Sequence, residues 1–137
     1  MELPSKVTKA SRVNPNSMVI FSQPKMGKTT VLSGLKDCLI IDLEQGSDFV
    51  DALKYDIISE SRKQKKPPLI ILKRLINSIK EANEKKGDYT YKYIAIDTVS
   101  ALEDIVLILA NKMYRDTAMG KHWTGDDVTD LPNGAGL

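Results

Sequence analysis

The sequence predicts an α/β fold in which a parallel sheet is flanked by helices. Three observations carry that prediction. Short apolar runs rich in β-branched residues alternate along the chain with longer stretches of helical period. A Gly-Lys-Thr turn and two acidic residues stand at the carboxyl ends of these runs, where parallel sheets bind their ligands. Finally, Ser22-Gln23-Pro24-Lys25-Met26-Gly27-Lys28-Thr29 follows the phosphate-binding pattern of glycine, four free positions and Gly-Lys-Ser/Thr, departing from it only at Ser22.

The elements follow in order. Residues 1–16 are polar and broken by Pro4 and Pro15, which predicts a loose arm before the domain. Met18-Val19-Ile20-Phe21 is expected to be a buried strand leading into the phosphate loop, and Thr30 to Leu35 a helix leading out of it. Asp37 to Glu44 forms the second buried strand, closed by Gln45-Gly46-Ser47, and residues 48–54 a short helical or irregular piece. Tyr55 to Ser59 is expected as a third short strand. Ser61 to Pro68 reads as a basic loop ending at a double proline, a solvated connector with a contact for DNA backbone or an acidic partner as the alternative. Apolar residues at Leu72, Leu75, Ile76 and Ile79 predict a helix over Leu69 to Lys86, stopped by Gly87. Tyr91 to Asp97 is a strand that delivers an acid at its end. Ala101 to Met119 is a helix with Leu102, Ile105, Val106, Leu109 and Met113 on one face. The domain reading is therefore 1–16 arm, 17–120 nucleotide-binding domain and 121–137 irregular tail.

Composition narrows the class. With 137 residues the chain suits one modest domain, and its net charge of +2 gives no global field toward nucleic acid or membrane. No apolar stretch approaches the ~20 residues that span a bilayer. Cys38 is the only cysteine, which excludes an intrachain disulfide and a cysteine-based metal cluster and predicts an inert core thiol. These features point to the cytoplasm.

Residue chemistry assigns the site. A strand, a tight loop and a helix start turn main-chain N–H groups from Ser22, Gln23, Pro24's neighbours, Lys25, Met26, Gly27 and Thr30 toward one point, where a polyphosphate fits. Gly27 lets the backbone approach, Lys28 supplies a point charge, and the Thr29 hydroxyl is placed to ligate Mg²⁺. Asp97 is expected as the carboxylate of that metal site. Hydrolysis also needs a group that orients water. Thr98 follows Asp97, so Glu44, at the end of the strand after the phosphate-loop helix, is the expected catalytic carboxylate beside Lys28, with Asp42 supporting it. ATP and Mg²⁺ are the expected ligands. Lys112, Arg115, His122 and Trp123 read as exposed helix charges and as packing over a helix end.

Ile40-Ile41-Asp42-Leu43-Glu44 and Ile94-Ala95-Ile96-Asp97-Thr98 resemble the corresponding segments of the RecA-like P-loop ATPases. The Pro24 to Thr29 loop is similar to that of phage-encoded recombination and single-strand-annealing proteins of this type. The resemblance implies an ATPase acting in DNA recombination, with single-stranded DNA as partner, self-assembly into oligomers and a bacterial or phage-infected cytoplasm. It also implies core strands beyond this chain, one of them between the phosphate-loop strand and the Asp97 strand, so that the fold here is an incomplete, N-terminal part of the core. The alternative arrangement pairs those two strands directly. Two other functions remain open on the residues alone: a non-hydrolysing nucleotide-binding adaptor, and a small kinase- or GTPase-like phosphotransferase.

Overall fold

A computed structural model describes residues 17–46 and 50–131. The elements in chain order are α1 (Lys28–Ser33), β1 (Cys38–Asp42), β2 (Lys54–Asp56), α2 (Ile57–Gln64), α3 (Pro68–Lys86), β3 (Tyr93–Asp97) and α4 (Val99–Arg115). Single turns of 3-10 helix follow at Gly120–His122 and Val128–Asp130.

The three strands form one parallel sheet in the order β2-β1-β3. β1 is its centre. Ile40 pairs with Lys54 on one side and Ala95 on the other, and Asp42 pairs with Asp97. Every residue of β1 is buried, as a continuous apolar run between two parallel neighbours requires. Leu39, Ile41 and Leu43 project to one face and meet Ile57 of α2 and Ile71 and Leu72 of α3. Leu75 and Ile79 of α3 and Leu102 and Ile105 of α4 close that core. Each fully buried isoleucine contributes about 1.5–3 kcal/mol. The alternation along β1 sends Ile40 and Asp42 to the other face. Asp97 lies opposite Asp42 and shares its side, and α1 reaches it there through Thr29. Cys38 is buried at the start of β1.

The α/β architecture matches expectation, as do α3, ended by Gly87, and the strands β1 and β3 within a residue or two of their expected ends. Four elements differ. Met18 to Phe21 belongs to no strand, with Val19 and Phe21 85% and 95% exposed. A four-residue run gains strand stability only when a neighbour takes its N–H and C=O groups. Among the described residues β3 pairs only with β1, so neither that neighbour nor the direct pairing alternative is realised. Tyr55 to Ser59 splits: the strand stops at Asp56, and Ile57 opens α2, which absorbs Ser61 to Gln64 of the expected loop. Asp56 causes the switch, because its carboxylate accepts the Ser59 N–H at 2.7 Å and caps the helix. α4 begins earlier than expected, at Val99, where the Thr98 hydroxyl accepts the Ala101 N–H, and it ends at Arg115. The chain after it turns back. Gly120 approaches the Tyr114 carbonyl so closely that a Cβ would lie 1.9 Å from the oxygen. Trp123 then stacks edge-on against Tyr114 at 5.4 Å, and the Arg115 guanidinium lies 5.6 Å from the Trp123 ring. Trp123 thus packs at the helix end, as expected. The expected arm over 1–16, the segment 47–49 and the last residues of the tail, 132–137, lie outside the described residues.

Candidate nucleotide-binding site

Gly27 stands at the N-cap of α1 with φ 81°, in the left-handed region that costs a side chain about 1–2 kcal/mol. Its carbonyl accepts the Val31 N–H at 3.0 Å and starts the helix. The other left-handed residue of the loop is Lys25, at φ 65°. Ser22, the departure from the usual glycine, does not adopt a positive φ, so the serine carries no conformational penalty there. Pro24, Lys25 and Met26 are exposed at the tip of the loop, and the Ser22 hydroxyl donates to the Gln23 carbonyl at 3.3 Å. Thr30 uses its carbonyl to accept from the Ser33 hydroxyl, inside α1.

Lys28 folds back across its own loop. Its ammonium donates to the carbonyl oxygens of Ser22 at 3.1 Å and Gln23 at 3.2 Å. These two bonds hold the loop closed around a half-buried cation. Thr29, the next residue, points to the sheet: its hydroxyl donates to Asp97 Oδ2 at 2.6 Å. The loop and the strand end are 68 residues apart in sequence, and this bond joins them. Asp97 is 9% exposed, so the carboxylate is screened by protein.

A second acidic group sits at the end of the central strand. The Glu44 carboxylate accepts the Thr98 hydroxyl, which links the turn after β1 to the residue after β3. Beneath it Asp42, 1% exposed, accepts two main-chain bonds with one oxygen, from Glu44 N–H at 2.9 Å and Gln45 N–H at 2.7 Å. Asp42 and Glu44 thus meet through the backbone of Glu44. The contribution of Gln45 was not legible in the sequence. Its amide joins a polar cluster with Asp56, Ser59 and Arg62. At Asp56, burial pushes the carboxyl upward, but the hydrogen bonds from Ser59 and Gln45 outweigh it and hold the group below its ordinary value.

The donor set suits a hard cation. Thr29 and Asp97 offer a hydroxyl and a carboxylate oxygen side by side, and Mg²⁺ takes one or two carboxylates with phosphate and water oxygens rather than an all-protein cage. Among the described residues no group of three or more His, Cys, Asp or Glu is placed to hold a metal ion. The residues present therefore fit Mg²⁺ brought with a polyphosphate. A hollow of about 390 Å³ lies elsewhere, between Asp37, Lys86, Asp88, Tyr89, Thr90 and Lys92, at the opposite end of the strands. It is open and carries both signs of charge.

A parallel α/β core with a Gly-Lys-Thr loop on its first helix, bonded to an aspartate at a strand end, defines a P-loop nucleotide-binding protein. Over residues 14–125 the chain matches the AAA domain family, and it belongs to that family. It is thus a nucleotide-binding domain of the ATPase type. No curated protein and no solved structure matches it. Among the described residues no helix is long and apolar enough to cross a membrane.

Proposed function

We propose that this chain binds ATP with Mg²⁺ and supplies the residues for its hydrolysis, in a RecA-like arrangement. The meeting of Thr29 and Asp97 carries the reading, because it joins the phosphate loop to an acid at the end of β3. In this reading Lys28 exchanges the carbonyls of Ser22 and Gln23 for β- and γ-phosphate oxygens. Thr29 and Asp97 would hold Mg²⁺, which would supply charge neutralisation on the phosphates. Glu44 leaves the Thr98 hydroxyl and accepts a hydrogen bond from the attacking water. The water oxygen bonds to the γ-phosphorus, the bond to the ADP oxygen breaks, and the water proton passes through Glu44 to solvent. The position of Glu44 at the end of β1, rather than beside Asp97, supports the RecA-like assignment of the catalytic carboxylate.

The reading extends to DNA. Arg62, Lys63, Lys65 and Lys66 are exposed at the end of α2, a basic edge that suits a phosphate backbone and a role in recombination or strand annealing. Turnover assays with Glu44→Gln and with single-stranded DNA test both levels. Hydrolysis requires that Glu44→Gln lose turnover by about 10²-fold or more while still binding MgATP. Equal turnover in the two proteins means that nucleotide acts only as an ordering ligand, which is the adaptor reading. Turnover indifferent to DNA removes the recombination role and leaves an ATPase.

A further inference from the structure

Gln45 has a backbone and a side chain that are both unusually constrained. Its φ is 60°, a region that residues other than glycine enter only under local constraint. Its side-chain amide is tied to α2 at both ends. Nε2 donates to Ser59 Oγ at 3.0 Å and to Asp56 Oδ2 at 3.4 Å, while Oε1 accepts from the Arg62 guanidinium at 3.3 Å. Its main-chain N–H goes to the buried Asp42 carboxylate, which also takes the Glu44 N–H. The two-residue turn that carries Glu44 is thus gripped from below by Asp42 and from the side by α2.

The partners explain the residue type. Asp56 as a carboxylate only accepts, and Arg62 only donates. A side chain lying between them must donate to one and accept from the other, and a primary amide does both. A glutamate in this place would keep Arg62 and set a second negative charge against Asp56. An alanine would reach neither. Glu44 itself is exposed, and its carboxylate is met by the Thr98 hydroxyl, so the location of its Cα depends on the grip at its neighbours.

We propose that Gln45 is a positioning residue for Glu44, acting by locking the turn after β1 onto α2, with Arg62 as the outer end of the lock. The proposal rests on the reading of Glu44 as the water-orienting group. A displacement of about 1 Å in such a group costs roughly 10²-fold in rate without changing how the nucleotide is held.

The test uses the full chain and the variants Gln45→Ala, Gln45→Glu, Arg62→Gln and Glu44→Gln. Three quantities are read: MgATP affinity by calorimetry, kcat and KM for hydrolysis, and amide hydrogen exchange at residues 44 and 45. In Gln45→Ala and Gln45→Glu, kcat falls by about tenfold to 10²-fold, with affinity and KM within about twofold of wild type. Exchange at both amides speeds up by about tenfold, and Arg62→Gln moves in the same direction by less. Unchanged exchange in Gln45→Ala overturns the proposal, and so does an unchanged kcat in that variant when Glu44→Gln is inactive. A loss confined to KM also overturns it, since the residue would then serve binding. Wild-type turnover in Glu44→Gln brings down the water-orienting role itself, and faster exchange in Gln45→Ala would then show a lock with no catalytic purpose.

Discussion

In the proposed reading, Lys28 gives up two hydrogen bonds when a nucleotide takes its ammonium. Those bonds, to the carbonyls of Ser22 and Gln23, satisfy the cation and shape the loop at once. Charge-assisted bonds contribute about 1.5–3 kcal/mol each, so the exchange of loop carbonyls for phosphate oxygens is favourable only because phosphate is the stronger acceptor. Lys28→Ala is therefore expected to weaken MgATP by roughly tenfold to 10²-fold in calorimetry. That Thr29 and Asp97 meet was legible from spacing, because a loop before the first helix and an acid at a strand end fall on the same edge of a parallel sheet. The resting partners of Lys28 and the contact between Glu44 and Thr98 were not, because they depend on where α1 and the turn after β1 sit in space.

At the scale of elements, α2 is the case where sequence reading fell short. Ser61-Arg62-Lys63-Gln64 has no apolar period, and its charges read as a solvated loop. The helix is set instead by its start, where Asp56 accepts the Ser59 N–H at 2.7 Å and the Ser59 hydroxyl at 2.6 Å. Only an Asp ahead of Ile57 marked it. The same capping gives a pH dependence. The folded carboxyl of Asp56 lies below its unfolded value, so its contribution is fully present above the unfolded value of about 3.9 and is lost as pH falls through the folded one. Asp56→Ala should cost about 1 kcal/mol at neutral pH, and the difference from wild type should shrink in thermal melts carried into that acidic range. The longer helices were legible because α3 and α4 place Leu72, Leu75, Ile79, Leu102 and Ile105 at a spacing that only a helix brings to one face.

At the scale of the molecule, the sheet is covered unevenly. β1 is buried along its whole length, whereas Ile94 and Ile96 of β3 are 51% and 43% exposed on the face that α4 only partly covers. Ile108 and Met113 on α4 and the run Met18 to Phe21 add apolar surface. Such a surface favours association. Ile108→Lys is expected to reduce self-association in sedimentation while shifting stability by no more than about 0.5 kcal/mol. The class of fold was legible from alternation of elements. The order β2-β1-β3 was not, because it depends on which strand wins the central position.

The lone thiol at the root of β1 follows from that central position. Burial pushes the Cys38 thiol up in pKa and hides it from reagents, so only molecules whose middle strand has momentarily parted from its neighbours react. Its alkylation then acts as a clock for breathing of the sheet, read by mass spectrometry with no label to install. A saturating dose of magnesium nucleotide, gripping the loop on α1 and the end of β3 together, should slow that clock by about the factor of its occupancy, one plus the ratio of ligand concentration to Kd.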